Sequence, residues 1–354
     1  MASKTNVRPK VQLGRWIPIV AMGFLILILG AYTHNKDSSF LSEFNLNGLM
    51  IATLPLALAA MGQTSALMVK AFDVSVGALI TLCVVVASFV LDPDESWPQL
   101  ILGMLFVILI ALAVGLVNVI LIRYLKLSPI IATLATYSVL QGVCLWLRPI
   151  PEGTISFDLV DILLYSVGFM PVAFIAAVVI AVLGDIWLYR TSGGLAARAM
   201  GLDEESAARR GVRVAYLFTR AFFITAFAAA LGGLFLFAQV QTGDPNAGFS
   251  FTLTSIAAAV LGGASLLGGR GSFIGAVVGA LFLNVIINIL PFLGWSASYG
   301  RIFVGVLTLV ALSFYQAPEL IQRAKTSFAN FRLKRGGSVA RSCAWSGSRM
   351  AGSG

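Results

Sequence analysis

Apolar runs close to twenty residues long recur along the whole chain, and this recurrence limits the fold more than any other feature. About 20 helical residues cross the roughly 30 Å hydrocarbon core of a bilayer. Windows of that kind fall approximately at 17–33, 47–68, 74–91, 98–122, 128–147, 169–189, 214–239, 251–268, 273–291 and 299–317. In lipid, only helices and closed barrels satisfy every backbone N–H and C=O. Barrel strands would show short alternating segments, whereas these runs are continuous. The expected fold is all-α: a polytopic membrane protein of about ten transmembrane helices. Composition agrees, with 58% hydrophobic and 11% charged residues. A soluble domain carries about a quarter charged residues, and disorder requires low hydrophobicity.

Charge then supplies the orientation. Ten crossings place both ends on one side. Twenty of the 24 Lys and Arg fall on that side, in 1–16, 69–73, 123–127, 190–213, 269–272 and 318–354. The opposite loops hold only Lys36 and Arg148, while Arg220 and Arg301 fall within spans. Nine of the 15 acids, among them Asp37, Asp92 and Asp244, lie in the poorly basic loops. Because Lys and Arg collect on the cytoplasmic side, both termini are expected there. The net charge of +9 is thus an orientation signal, and nucleic acid is not an expected partner. Three regions follow: a basic cytoplasmic N-terminus at 1–16, a transmembrane body at 17–317 with a cytoplasmic loop at 190–213, and a basic, partly disordered tail at 318–354. The tail's cations could touch membrane lipid. The basic start followed by an apolar run from Trp16 resembles a signal peptide. It lacks a small-x-small cleavage site, so a retained first span is expected.

The loop at 190–213 carries the most local information. It reads as one short helix. Asp203 is a good N-cap. Glu204 and Glu205 in the first turn and Arg209 and Arg210 in the last suit the helix dipole. Gly211 can end the helix in the left-handed conformation. Ser206, Ala207 and Ala208 leave a nearly bare face, suited to a groove on another protein. A plain surface helix is the alternative.

Four stretches carry a resemblance. Glu205-Ser-Ala-Ala-Arg-Arg-Gly211 fits the E-A-A-x-x-x-G spacing of the coupling helix in ABC importer permeases, with Ser for the first Ala. The wider run 199–212 is similar to A-I-G-G-N-x-E-A-A-R-x-x-G-I of the ribose-type, or monosaccharide, permeases. It departs from that pattern at Leu202, Asp203 and Ala208. The run 62–77 resembles G-Q-T-x-V-x-x-x-G-G-I-D-L-S-V-G, with Lys70-Ala71 for Gly-Gly and Phe72 for Ile. Residues 129–136 resemble P-F-I-A-T-L-G-T, and 261–272 resemble I-G-G-T-S-L-F-G-G-x-G-S with Ala264 for Thr. Gly275, Gly279 and Asn288 follow at the family's places. The matches cover most of residues 55–315 in order.

The resemblance implies a transmembrane permease of the bacterial inner membrane for a monosaccharide or related polyol, with no cofactor of its own. A second permease copy, identical or a sister chain, would complete the pathway. Separate ABC ATP-binding subunits would dock on Gly201, Asp203, Glu205, Ala207, Ala208 and Gly211. A periplasmic or extracellular sugar-binding protein would deliver substrate to the loops at 34–46, 92–97, 148–168 and 240–250.

The physics of the other segments leaves two readings each. Asp73, with Ser75 and Gly77, either caps a helix beginning at Val74 or makes a gate or hinge contact. Gly262, Gly263, Gly268 and Gly269, with Gly271, are too dense for a helix interior. They suit a tight turn presenting Arg270, either a simple re-entrant turn or part of a discontinuous transporter helix. Gln63, Thr64, Asn118, Thr133, Thr136, Gln141, Asn284 and Asn288 either line a pathway or bond neighbouring helices. Asn284 and Asn288 are four apart and share a helix face.

The chain has no GxxxxGK[ST] phosphate loop, HExxH, GxSxG or Cys cluster. Cys83, Cys144 and Cys343 read as idle thiols, and His34 as an exposed loop residue past the first span. The runner-up is a branched-chain amino-acid permease of the same superfamily. An ion-coupled sugar carrier would want a deep carboxylate, and Asp73 and Asp185 are the span-associated acids. A membrane enzyme would need a nucleophile or metal constellation, and none is visible.

Overall fold

A computed structural model describes residues 16–309 apart from 297 and 301. The basic N-terminus before Trp16, the tail at 318–354 and the end of the last expected span lie outside the described residues. In chain order the elements are α1 (Trp16–Lys36), a 3-10 turn (Ser38–Leu41), α2 (Glu43–Met68), α3 (Val76–Val90), α4 (Trp97–Val119), a π turn (Ile120–Tyr124) and α5 (Pro129–Leu147). Next come α6 (Phe157–Leu163), the two-residue strands β1 (Ser166–Val167) and β2 (Met170–Pro171), α7 (Val172–Arg190), α8 (Ser192–Leu202) and α9 (Glu204–Arg209). The last are α10 (Val214–Val240), α11 (Phe251–Leu261) and α12 (Phe273–Phe292). His34 lies in the last turn of α1, not in a loop. Seven helices among the described residues are long and apolar enough to cross a membrane: α1, α2, α4 with its π turn, α5, α7, α10 and α12. Three shorter apolar helices, α3, α11 and 298–309, fall at the other expected spans.

Helix starts follow the sequence chemistry. The Ser42 side chain accepts from Asn45 N at the head of α2. Ser96 and Gln99 form a capping box on α4. Pro129 opens α5, where a missing N–H costs nothing. The Ser272 hydroxyl accepts from Gly275 N at the start of α12.

The packing centres on α2 and α10, which lie against each other; α3 and α4 flank α10, and α11 and α12 flank α2. Every residue of α2 from Thr53 to Met68 is buried, as is every residue of α3 from Val76 to Ser88. Lipid tails are as apolar as Leu, so small residues that admit close contact do the packing in a membrane. Gly62 faces Thr225 and Ala228, and Gly233 faces Cys83 and Ile80. Pro55 interrupts the hydrogen-bond ladder of α2, which frees the carbonyl four residues earlier. Gln239 Nε2 of α10 donates to that carbonyl, Ile51 O, at 2.9 Å.

Two expected spans prove shorter as helices. The one expected at 74–91 is helical only from Val76. Asp73 Oδ1 accepts from Ser75 N at 3.0 Å, a local turn that delays the helix. Asp73 therefore sits ahead of α3, whose N-cap is Ser75. The span expected at 251–268 ends as helix at Leu261, because Gly263, Gly268 and Gly269 take positive φ.

Chain 241–250 then runs along α3. Gly243 lies beside Ser88, and Gly248 N donates to Thr81 Oγ1 at 3.0 Å. From Ser88 to Gly77 is about 16 Å along a helix. The helix α11 thus begins beside the first turn of α3, and Gly77 faces Thr252 and Gly248. The two shorter helices meet by their N-terminal ends.

That contact leaves no volume for a side chain at Gly77. Gly77→Val is expected to destabilise by about 1–3 kcal/mol, the usual cost of overpacking. Gly142→Val, where a new side chain meets nothing, should be neutral. Thermal unfolding in detergent measures both.

Candidate functional site

The segment expected as one helix at 190–213 forms two. Thr191 caps α8 by accepting from Gly194 N, and Asp203 caps α9 by accepting from Glu205 N and Ser206 N. The Ser206 hydroxyl also donates to Asp203 Oδ2 at 2.6 Å, and these bonds hold the Asp203 carboxyl below the usual carboxylate range. Gly211 ends the motif at φ +83°, with open space where a Cβ would stand. Ala207 is 4% exposed and packs into a cluster with Val69, Ala71, Ile122 and Phe218. Glu205, Ala208 and Arg209 face outward, and Glu205 pairs with Arg209 at 2.5 Å. One side of α9 is therefore an apolar anchor and the other is exposed, small and charged.

Three backbones converge behind α9. Gly269 N donates to Met68 O at 3.0 Å, joining the glycine-rich turn to the end of α2. Gly201 of α8 sits against Met68 O and Gly269, so a Cβ there would collide with backbone. Lys70 Nζ donates to Leu202 O at 2.9 Å. Lys70 holds a left-handed φ of +59°, a conformation that costs a non-glycine residue about 1–2 kcal/mol. The resembling family has Gly at this place, so Lys70 exchanges that freedom for a bond to the end of α8. From the other side, Arg123 of the π turn pairs with Glu204 at 2.7 Å and stacks on Phe218.

The glycine-rich turn is held on its remaining side by α7. Tyr189 Oη donates to Gly271 O at 2.8 Å. Asp185 accepts from Ser272 Oγ at 2.6 Å and Phe273 N at 2.7 Å, placing a carboxylate at the N-terminus of α12. Ser265 N bonds Arg270 O and closes the loop, leaving the Arg270 side exposed and Gly268 and Gly269 buried. Gly262 meets Gly275, and Ala258 meets Gly279, so α11 and α12 approach nearly backbone to backbone.

Beside this junction lies a buried polar chain. Ser75 Oγ donates to Asp73 Oδ1 at 2.5 Å. Asn118 Nδ2 donates to Ser75 Oγ at 2.9 Å, and Thr136 Oγ1 donates to Asn118 Oδ1 at 2.6 Å. Thr133 Oγ1 accepts from Val74 N at 3.1 Å. Asp73, 2% exposed, thus stands just ahead of the first turn of α3, bonded to its N-cap Ser75. That place is the positive end of the α3 dipole.

Of the polar residues expected to line a path or bond helices, Gln63, Thr64, Thr133 and Thr136 are buried inside the chain. Thr64 bonds its own helix at Ala60 O. Asn288 bonds Asn45 in both directions, at 3.0 and 3.2 Å, which ties α12 to α2. Asn284 bonds Ala280 O in its own helix. Both amide atoms of Gln63 are buried without a hydrogen-bond partner among the described residues. Asn118, one of the polar residues expected to line a path or bond helices, bonds Ser75 and Thr136, whereas sequence reasoning missed Arg123, Tyr189 and Lys70 as structural ties. Only the Lys70-Ala71 departure from Gly-Gly pointed to one of them.

A protein family described as "Branched-chain amino acid transport system / permease component" matches residues 45–312. The chain belongs to this permease family. Among curated relatives, the autoinducer 2 import system permease protein LsrC of Salmonella typhi is 31% identical over 303 residues, covering 84% of each chain. Its counterpart in Escherichia coli O157:H7 is 30% identical over 311 residues, covering 86% of this chain and 87% of the relative. That of Salmonella paratyphi B is 30% identical over 296 residues, covering 82% and 83%. No solved structure matches the chain.

The Lys70 tether sets two effects of similar size against each other: left-handed strain of about 1–2 kcal/mol and a charged hydrogen bond of about 1.5–3 kcal/mol. Lys70→Gly removes both and is expected to move the thermal midpoint little. Amide exchange at 201–204 should rise several-fold. Lys70→Met keeps the strain and loses the bond, so it should lower the midpoint as well. Hydrogen exchange by mass spectrometry with a melting curve separates the two.

Proposed function

We propose that this chain is the transmembrane permease subunit of an ATP-driven ABC importer for a monosaccharide or related polyol, in the bacterial inner membrane. The observation that carries the reading is α9: a short, capped helix with an exposed face, anchored by Ala207 and adjoining α8, which is bonded to Lys70 and packed against Gly269. An ATPase subunit docked on Asp203, Glu205, Ala208 and Gly211 would push on Met68 and Gly269 through the buried Gly201, and on Lys70 through Leu202. The relatives' name, an autoinducer 2 import permease, supports import and a sugar-like cargo.

In this reading the three shorter helices complete ten crossings and both termini lie in the cytoplasm. A second permease copy completes the pathway, and an external binding protein supplies affinity at the loops on the opposite side. The interrupted segments 69–75 and 262–272 act as gates, with Asp73, Ser75, Gly77, Gly262, Gly263, Gly268, Gly269 and Arg270 as their working residues. Thr133 and Thr136 would reach a path only when α3 and α5 separate. Gln63, buried without a partner, would gain one in such a second state. Asn288, bonded to Asn45, fits inter-helix bonding better than lining.

A branched-chain amino-acid cargo is the second reading, favoured by the family's description. Uptake of labelled compounds in a strain lacking the gene, complemented by the chain, separates the two. Competition by pentoses or autoinducer 2 is expected, and competition by leucine alone would replace the sugar reading with the amino-acid one. Glu205→Lys reverses a charge on the exposed face of α9 without touching its anchor. It is expected to cut uptake at least tenfold while membrane insertion stays normal. Unchanged uptake in that variant would remove α9 from the ATPase contact.

A further inference from the structure

Arg220, well inside a membrane-crossing helix, has no carboxylate within ion-pair distance among the described residues. Arg220 lies in the second turn of α10, six residues from its start. Its guanidinium stacks on Trp187 of α7, 4.3 Å from the ring centroid. The nearest acid of α7 by position, Asp185, faces α12 through Ser272 and Phe273.

Arg220 and Trp187 stand at one end of a fissure of about 340 Å³. It opens because α7 packs on α2 and α12, while α10 packs on α2 and α3, so that α7 and α10 diverge above α2. Met61 forms part of the floor, with Leu183 on one wall and Ile224 and Phe227 on the other. Leu183 and Phe227 are exposed. A narrower extension passes Arg220 and reaches Ala197 of α8.

We infer that this fissure is a binding site for an anionic phospholipid from the leaflet on the α8–α9 side, with an acyl chain in the apolar cleft and its phosphate on Arg220. Three observations carry it. The cleft lies between helices long and apolar enough to cross a membrane, so the surrounding medium is lipid. Its size is that of a ligand site, and its walls are apolar along its length. Its one charge sits at the end nearest α8, where a headgroup would lie, and Trp is the ring that favours this interfacial depth. An Arg in such a place seeks a phosphate, which its fork binds in two-pronged fashion. The occupant would touch α7 and α10 together and would border α8 through the extension. The lipid would thereby set the spacing of the two helices that flank the α8–α9 segment.

The test uses the purified full-length chain in nanodiscs of phosphatidylcholine, with and without phosphatidylglycerol. Lipid retained after a detergent wash is counted by mass spectrometry. Phosphatidylglycerol is expected to be retained at near one per chain, several-fold above phosphatidylcholine. Arg220→Gln should abolish the preference and Arg220→Lys should keep part of it. Leu183→Trp, which fills the cleft and leaves the charge in place, should expel the lipid. Equal retention of the two lipids by the unaltered chain overturns the site, as does an unchanged preference in Arg220→Gln. So does efficient crosslinking of Leu183→Cys to a second copy, since protein would then cover the fissure. If Arg220→Gln does not fold, retention in Leu183→Trp decides. The readout is lipid bound to the chain, so its failure leaves the transport reading untouched.

Discussion

The backbone contact between Gly269 N and Met68 O, with Gly201 wedged against both, is the constraint on which the functional face of the molecule depends. It joins the ends of three elements distant in sequence without intervening side chains. Side chains can change rotamer and absorb a displacement, whereas abutting backbones cannot. A push on α8 and α9 is therefore passed to α2 and to the glycine-rich turn as a rigid-body step. Such packing favours discrete alternative arrangements over smooth deformation. The glycines are required by contact here: Gly201 has ordinary φ, and only the absence of Cβ lets α8 approach. Gly268 and Gly269 add the left-handed φ values that bring the turn back on itself.

Around this junction the chain solves the problem of polar groups in lipid by pairing nearly all of them. Asp73, Ser75, Asn118 and Thr136 form one connected chain of bonds, and the Ile51 carbonyl finds Gln239. Buried networks of this kind are rigid when complete and costly when incomplete. Gln63 stands out because its amide is incomplete at both atoms, an expense of about 1–3 kcal/mol for each such group. An expense of that size within the most tightly packed part of α2 marks the region as one where another arrangement competes.

Much of this was legible in the sequence, for identifiable reasons. Continuous apolar runs indicate helices in lipid whatever their partners, so α1, α4, α7 and α12 lie close to their expected places. Local chemistry is equally legible: Asp203 caps α9, and Gly211 takes the left-handed conformation, because each depends on only a few neighbouring residues. The failures share the opposite cause. Thr191 starts a second helix, α8, whose glycines hide it from propensity. The helical part of the run at 251–268 stops at Leu261 because apolar residues continue through a turn, and hydropathy is blind to φ. That Asn288 meets Asn45 and Arg123 meets Glu204 depends on tertiary neighbours that spacing along one chain does not reveal. The permease family, by contrast, was legible from four short motifs, since three of them meet at the junction and the fourth, 129–136, supplies Thr133 and Thr136 to the polar chain beside it.

Pro55 has a further consequence. It weakens α2 at one level, and the carbonyl it frees is held from outside by Gln239 rather than by the helix's own ladder. Below that level α2 continues for 13 residues to Met68, a rigid arm of about 20 Å. A pivot of about 10° there would swing the tip by some 3 Å on the same helical geometry, about the separation of one hydrogen-bonded pair. The arm's far end carries the junction, while the part of α2 before Pro55, tied to α12 through Asn45, stays still. The helix that looks most immobile, buried on all sides, is thus built as a lever with its fulcrum at a missing N–H.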